Sequence, residues 1–241
     1  MSASKISLSR LSSQSGSDKH VHGFTDFYEK YIKDLDPQIV CEIGMGGLIP
    51  AHWEIYKHIE QDNPGGSSRM WLKYFPNAQI FVMDNFSQVS ENDIKRVIDE
   101  VAATSDGRYV LFYGDQSLKS DLNKFIEKIG EEIDFLVDDG GHKMQQQQFS
   151  FATLFPSIKS KGLYAIEDLH TSEFNPGPKW EVYSDRSNTT LTMLQNYQKT
   201  GKIESIYMTS EEAKYLEDNI DFCEILRSND GKSITSMIGK K

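Results

Sequence analysis

The sequence predicts an α/β fold: a doubly wound, mostly parallel sheet of seven strands that ends in a C-terminal antiparallel hairpin. Two observations carry this. From about residue 24, short apolar runs of strand length alternate with longer charged helical patterns, the rhythm of a parallel sheet covered on both faces. The tail breaks that rhythm, because apolar runs at 222–227 and 232–238 flank Asn229-Asp230-Gly231, a hairpin turn signal. Composition agrees. The 241 residues are 38% hydrophobic and 11% aromatic, enough for a core and against global disorder.

The elements follow in order. The first 17 residues hold eight serines and little apolar periodicity, so 1–17 reads as a flexible arm and 18–241 as one domain. Phe24, Phe27, Tyr28, Tyr31, Ile32 and Leu35 recur at spacings of three and four, which predicts an amphipathic helix. Pro37 follows, and Ile39-Val40-Cys41-Glu42-Ile43-Gly44 reads as a buried strand closing on glycine. Further strands are expected at 79–84, 109–114, 133–138 and 162–167. Helices are expected between them, near 68–75, 90–104, 118–130 and 143–155.

Charge and cysteine usage narrow the function. Lys plus Arg is 26 against 36 Asp plus Glu, a net charge of −10, which argues against general nucleic-acid or anionic-membrane partners. Cys41 and Cys223 cannot build a disulfide framework or a cysteine-rich zinc site. No run approaches the length of a membrane span, and no secretory leader is apparent. The expectation is a soluble cytoplasmic protein.

In open α/β sheets, ligands bind outside the carboxyl ends of the strands. Here those ends read Glu42-Ile43-Gly44-Met45-Gly46-Gly47, then Asp84, then Gly114-Asp115-Gln116-Ser117. The later two are Asp138-Asp139-Gly140-Gly141-His142 and Glu167-Asp168. Five successive ends in carboxylate or glycine are hard to call accidental. The glycine turn is not the dinucleotide fingerprint, because Ile49 stands where the third glycine belongs. A nucleoside ligand without a pyrophosphate fits better, and S-adenosylmethionine is one. Asp84 reads as an acceptor for its ribose hydroxyls, with an inserted segment at 48–65 explaining its distance from Gly44.

Several stretches carry a resemblance: Ser17-Asp18-Lys19 with His22 and Tyr28, the Glu42–Gly47 turn, and Gly65-Gly66-Ser67-Ser68-Arg69-Met70-Trp71. They continue through 74–80, Gly114-Asp115-Gln116-Ser117, Asp138-Asp139-Gly140-Gly141-His142, 150–156 and 162–169. Over roughly 17–175 the chain resembles class I S-adenosylmethionine-dependent methyltransferases with a Rossmann-like fold. It is most similar to the metal-dependent macrocin and mycinamicin type of sugar O-methyltransferase. The resemblance implies Asp139, Glu167 and Asp168 as ligands of a divalent metal, magnesium the expected ion, and His142 as general base, with Asp139 also catalytic. It implies Glu42, Gly44, Gly46, Ser67, Asp84, Asp115, Gln116 and Asp138 as positions around the methyl donor. It also suggests an N-terminal segment with His20 and His22 folding over the site. Two departures stand out: Gly141 replaces the usual serine of Asp-Gly-Ser-His, and the 48–65 segment, with His52, Trp53, Tyr56 and His58, is long.

The residue chemistry fits. Three carboxylates without a thiolate suit magnesium, calcium or manganese rather than zinc. An imidazole with an ordinary pKa near 6.5 is available as a base at neutral pH. The expected activity is methyl transfer to a sugar hydroxyl, on a glycan, a glycosylated natural product or a sugar nucleotide. The expected partner is a small-molecule or glycan acceptor, with homo-oligomerisation left open. The alternatives are a non-sugar hydroxyl acceptor (polyketide or phosphate-derived), a non-catalytic methyltransferase-like binding protein, and a nicotinamide oxidoreductase, the last weakened by Ile49.

Overall fold

The computed structural model describes residues 6–46, 65–87 and 90–241. The inserted segment with His52, Trp53, Tyr56 and His58, along with Gly47, Ile49 and Pro50, lies outside them. The chain divides into two compact units, Met1–Tyr113 and Gly114–Lys241.

The first unit runs α1 (Leu8–Ser15), α2 (Phe24–Ile32), β1 (Ile39–Ile43), α3 (Gly66–Tyr74), β2 (Gln79–Asp84), α4 (Glu91–Ser105) and β3 (Tyr109–Tyr113). Its strands are parallel, in the order β3-β2-β1. All five residues of β1 are buried, as expected for a strand covered on both faces. Trp71, Tyr74, Phe24 and Tyr28 are among the unit's largest fully buried side chains.

Residues 8–15, expected within a flexible arm, form helix α1 instead. The Ser7 hydroxyl accepts the Arg10 N–H, Gly16 ends the helix at φ 78°, and Leu8 and Leu11 are buried. A cap, a left-handed glycine and two leucines three apart suffice for a short packed helix, though serine dominates the composition. The helix is also held from outside: the Leu8 N–H donates to Glu29 at 2.8 Å. A side chain at Gly66 would collide with the Gly16 carbonyl, so the start of α3 and the end of α1 meet backbone to backbone.

The second unit runs α5 (Lys119–Ile129), β4 (Ile133–Asp138), α6 (Met144–Leu154), β5 (Ile158–Ile166), α7 (Thr190–Thr200), α8 (Ser210–Asn219), β6 (Ile220–Arg227) and β7 (Ile234–Lys240). Strands β4 and β5 are parallel, with Asp138 opposite Ile166, and β5-β7-β6 are antiparallel. The β6–β7 hairpin turns through Gly231 at φ 75°, as the Asn-Asp-Gly signal predicts. With three strands in the first unit and four in the second, the expected seven are present, mostly parallel with an antiparallel end. Strand β5 starts four residues earlier than predicted, because exposed Ser160 and Lys161 mask its apolar pattern. Among the described residues no helix is long and apolar enough to cross a membrane.

Candidate active site

The donor-side residues of the first unit gather at the carboxyl ends of β1 and β2. Gly44 and Gly46 both take positive φ, 93° and 74°, which L side chains resist, so the turn depends on them. Asp84 ties that turn down: one oxygen accepts the Met45 N–H at 2.7 Å, and the other accepts the Phe86 N–H at 2.5 Å. Each oxygen keeps a second lone pair. Glu42 is fully buried. It accepts from the Ser67 hydroxyl at 2.7 Å and pairs with Lys19, itself 1% exposed, at 3.4 Å. The N-terminal segment thus does reach the end of β1. His20 contacts the Ser12 hydroxyl and the Ser17 carbonyl, and His22 contacts Asp18. The Phe86 and Tyr113 rings lie 5.7 Å apart, Tyr113 74% exposed, an aromatic pair beside Asp84 that sequence reasoning missed.

In the second unit Asp115 accepts from the Ser117 N–H at 2.8 Å and from its hydroxyl, shaping the entry to α5. Gln116 bridges. Its amide donates to Asp138 at 2.6 Å and its carbonyl oxygen accepts the Gly141 N–H at 2.9 Å. Asp138 is 1% exposed, and burial pushes its carboxyl up to about 7, against the opposing pull of His142 and the Gln116 hydrogen bond. It braces the turn from beneath.

Above it, Asp139, His142 and Asp168 form a cluster whose ligand atoms all lie within 4.8 Å of one another. The cause is the sheet. Neighbouring parallel strands lie about 4.8 Å apart, and the Asp138–Ile166 register brings the residues after each strand level. His142 and Asp168 take positive φ, 56° and 54°, a strained state for non-glycine residues. The Thr171 hydroxyl lies 3.0 Å from the His142 carbonyl and 2.9 Å from that of Asp168, holding both turns. Nε2 of His142 is 3.3 Å from Asp168, while its buried Nδ1 has no hydrogen-bond partner among the described residues. Glu167 is buried next to Asp168, but is not in the cluster. The Asp139 and Asp168 carboxylates are hard oxygen donors of the kind magnesium takes, with the His142 imidazole beside them.

Gly141 has a local explanation. A Cβ there would run into the Gln146 side chain, whose oxygen accepts the Lys143 N–H at 3.3 Å and caps α6. Two aromatic rings lie close by: Trp180 is 6.4 Å from His142 of the cluster, and Phe174 is 5.4 Å from His170. The only sequence signal for Trp180 is an aromatic just past the turn-forming Pro176-Gly177-Pro178.

No family model matches the chain. It is 36% identical over 197 residues to mycinamicin VI 2''-O-methyltransferase of Micromonospora griseorubida, covering 80% of this chain and 43% of that protein. It is 35% identical over 174 residues to 8-demethyl-8-(2-methoxy-alpha-L-rhamnosyl)-tetracenomycin-C 3'-O-methyltransferase of Streptomyces olivaceus, covering 70% of this chain and 38% of that one. The chain therefore spans about two-fifths of the length of these relatives. Among solved structures, the MycE methyltransferase of the mycinamycin pathway, in complex with Mg, SAH and mycinamycin VI, superposes with a TM-score of 0.71 at 27% identity. That match covers 98% of this chain and 55% of MycE. An O-methyltransferase from Bacillus cereus shares the fold at a TM-score of 0.56 and 12% identity, covering 100% of this chain and 94% of that one. The chain is a homologue of the sugar O-methyltransferases of glycosylated natural-product pathways and carries the Rossmann-like fold of the S-adenosylmethionine-dependent methyltransferases.

Proposed function

We propose that this protein transfers the methyl group of S-adenosylmethionine to a hydroxyl of a sugar borne by a small molecule, with a divalent metal, magnesium, in its site. The observation that carries the reading is the Asp139–His142–Asp168 cluster at the ends of two neighbouring parallel strands. Asp139 and Asp168 would hold the metal, with Glu167, buried outside the cluster, the third carboxylate that the resemblance implies. When bound, the metal supplies a Lewis acid that polarises the acceptor hydroxyl.

The chain's own side chains do the rest. The Asp168 carboxylate, 3.3 Å from Nε2 of His142, orients the imidazole. His142 takes the hydroxyl proton as the oxygen attacks the methyl carbon. The O–CH3 bond forms as the S–CH3 bond breaks, and the sulfonium leaves as a thioether. On the donor side, Gly44 and Gly46 admit the ligand close to the backbone, with Asp84 at the ribose and Phe86 and Tyr113 beside it. Glu42, Ser67 and Asp115 complete the donor residues, while Gln116 and Asp138 hold the catalytic turn in place. Residues 18–241 act as one catalytic domain, in the cytoplasm. The partner is a glycosylated small molecule rather than nucleic acid or membrane, in keeping with the −10 charge.

Isothermal titration of the full chain tests the donor. Saturable micromolar binding of S-adenosylhomocysteine, undisturbed by NAD, is expected. Tight NAD binding with no response to S-adenosylhomocysteine would overturn the reading.

A further inference from the structure

Five side chains, the candidate metal ligand Asp168 among them, close a circuit. The two Asp168 oxygens lie 3.3 Å from Nε2 of His142 and 3.6 Å from Nδ1 of His170. The His142 ring is 6.4 Å from Trp180, Trp180 is 5.9 Å from Phe174, and Phe174 is 5.4 Å edge-on from His170. Half of this ring is polar and matches the chemistry proposed above. The other half is aromatic and has no core to serve: Phe174 is 41% exposed, and Trp180 is only half-buried.

The loop that presents these rings is fixed in place. Arg186 donates to the Ser172 carbonyl at 2.6 Å and to the Glu173 carbonyl at 3.0 Å. Asn188 donates to the Glu181 carbonyl at 2.5 Å, and the Trp180 carbonyl accepts the Met144 N–H at 3.3 Å. Glu181 and Arg186 both take positive φ, 62° and 58°. A segment that holds two strained residues and exposes two large rings beside a base costs stability. Such features collect where a ligand is received.

We infer that Trp180 and Phe174 form the acceptor platform, stacking the apolar face of the sugar ring that carries the reacting hydroxyl. The inference rests on the methyl-transfer reading of this site. An aromatic face is electron-rich and attracts the weakly positive C–H groups of a pyranose face. With the Trp180 and His142 rings 6.4 Å apart, a sugar stacked on Trp180 would lie within reach of the base. Lys179 Nζ lies 4.9 Å from the centre of the Trp180 ring, over one of its faces. Preformed rings lose little side-chain entropy on binding, which favours a weakly held ligand such as a sugar.

The test uses the full chain with methyl α-L-rhamnopyranoside and mycinamicin VI as probes. Saturation-transfer NMR should show contact concentrated on the C–H protons of one sugar face. Trp180→Ala and Phe174→Ala should each weaken binding about tenfold and raise KM by a similar factor. Both should leave kcat within about threefold and S-adenosylhomocysteine binding and melting temperature unchanged, and Trp180→Phe should recover most of the loss. If the wild type binds or methylates a probe and both alanine variants match it, the platform is wrong and the methyl-transfer reading stands. If the wild type neither contacts nor methylates either sugar, the platform and the sugar reading fall together.

Discussion

Nε2 of His142 lies 3.3 Å from Oδ2 of Asp168, and both residues sit in the left-handed backbone region. That backbone state narrows the useful substitutions. Alanine at positive φ adds strain of its own, whereas asparagine accepts the conformation. His142→Asn should therefore fold and bind the donor as wild type while losing about 10²- to 10⁴-fold in turnover. A single-turnover assay beside a donor titration checks it, and an unimpaired variant would remove His142 from the chemistry.

Gln116 joins Asp138 to the Gly141 N–H. Gln116→Leu leaves the buried Asp138 carboxyl without that partner, while the Gly141 N–H, on an exposed residue, can turn to water. The expected cost is about 1–3 kcal/mol of stability, with a fall in kcat as the turn before His142 loosens. Urea unfolding with an m-value equal to wild type is the measurement. Unchanged stability would mean that the bridge contributes nothing.

Lys19 and Glu42 are both buried, and removing one partner of such a pair is costly. Lys19→Met should destabilise the protein by about 3–5 kcal/mol, whereas Lys19→Met with Glu42→Gln should recover most of that. Chemical denaturation of wild type, Lys19→Met, Glu42→Gln and the double variant forms the cycle. Equal losses in single and double variants would show that the ammonium is not what holds Glu42.

Much of this was legible in the sequence because a parallel sheet writes its site at strand ends. The runs ending at Asp84, Asp138 and Glu167 could be read from apolar pattern alone, and the register of β4 against β5 then brings Asp139 and Asp168 together. What pattern could not supply were features without a period. Phe174 and Trp180 sit in an irregular loop, where only tertiary hydrogen bonds set the direction of a ring. Helix α1 was hidden by serine-rich composition. Helix α8 had a readable start, since Thr209 and Glu212 make a capping box, but its polar surface gave little apolar signal beyond Leu216. Asp84 also does more than expected, because its carboxylate holds the glycine turn as well as facing the proposed ribose.

The most direct measurement is methyl transfer to a glycoside acceptor by enzyme verified as metal-free. With S-adenosylmethionine and mycinamicin VI or a rhamnoside, mass spectrometry should find no methylated product after chelation. Added magnesium should restore the methylated sugar, and Asp168→Asn should need far more magnesium to do so, because one carboxylate charge is gone. Full-rate methylation of the sugar by the metal-free enzyme would contradict the account.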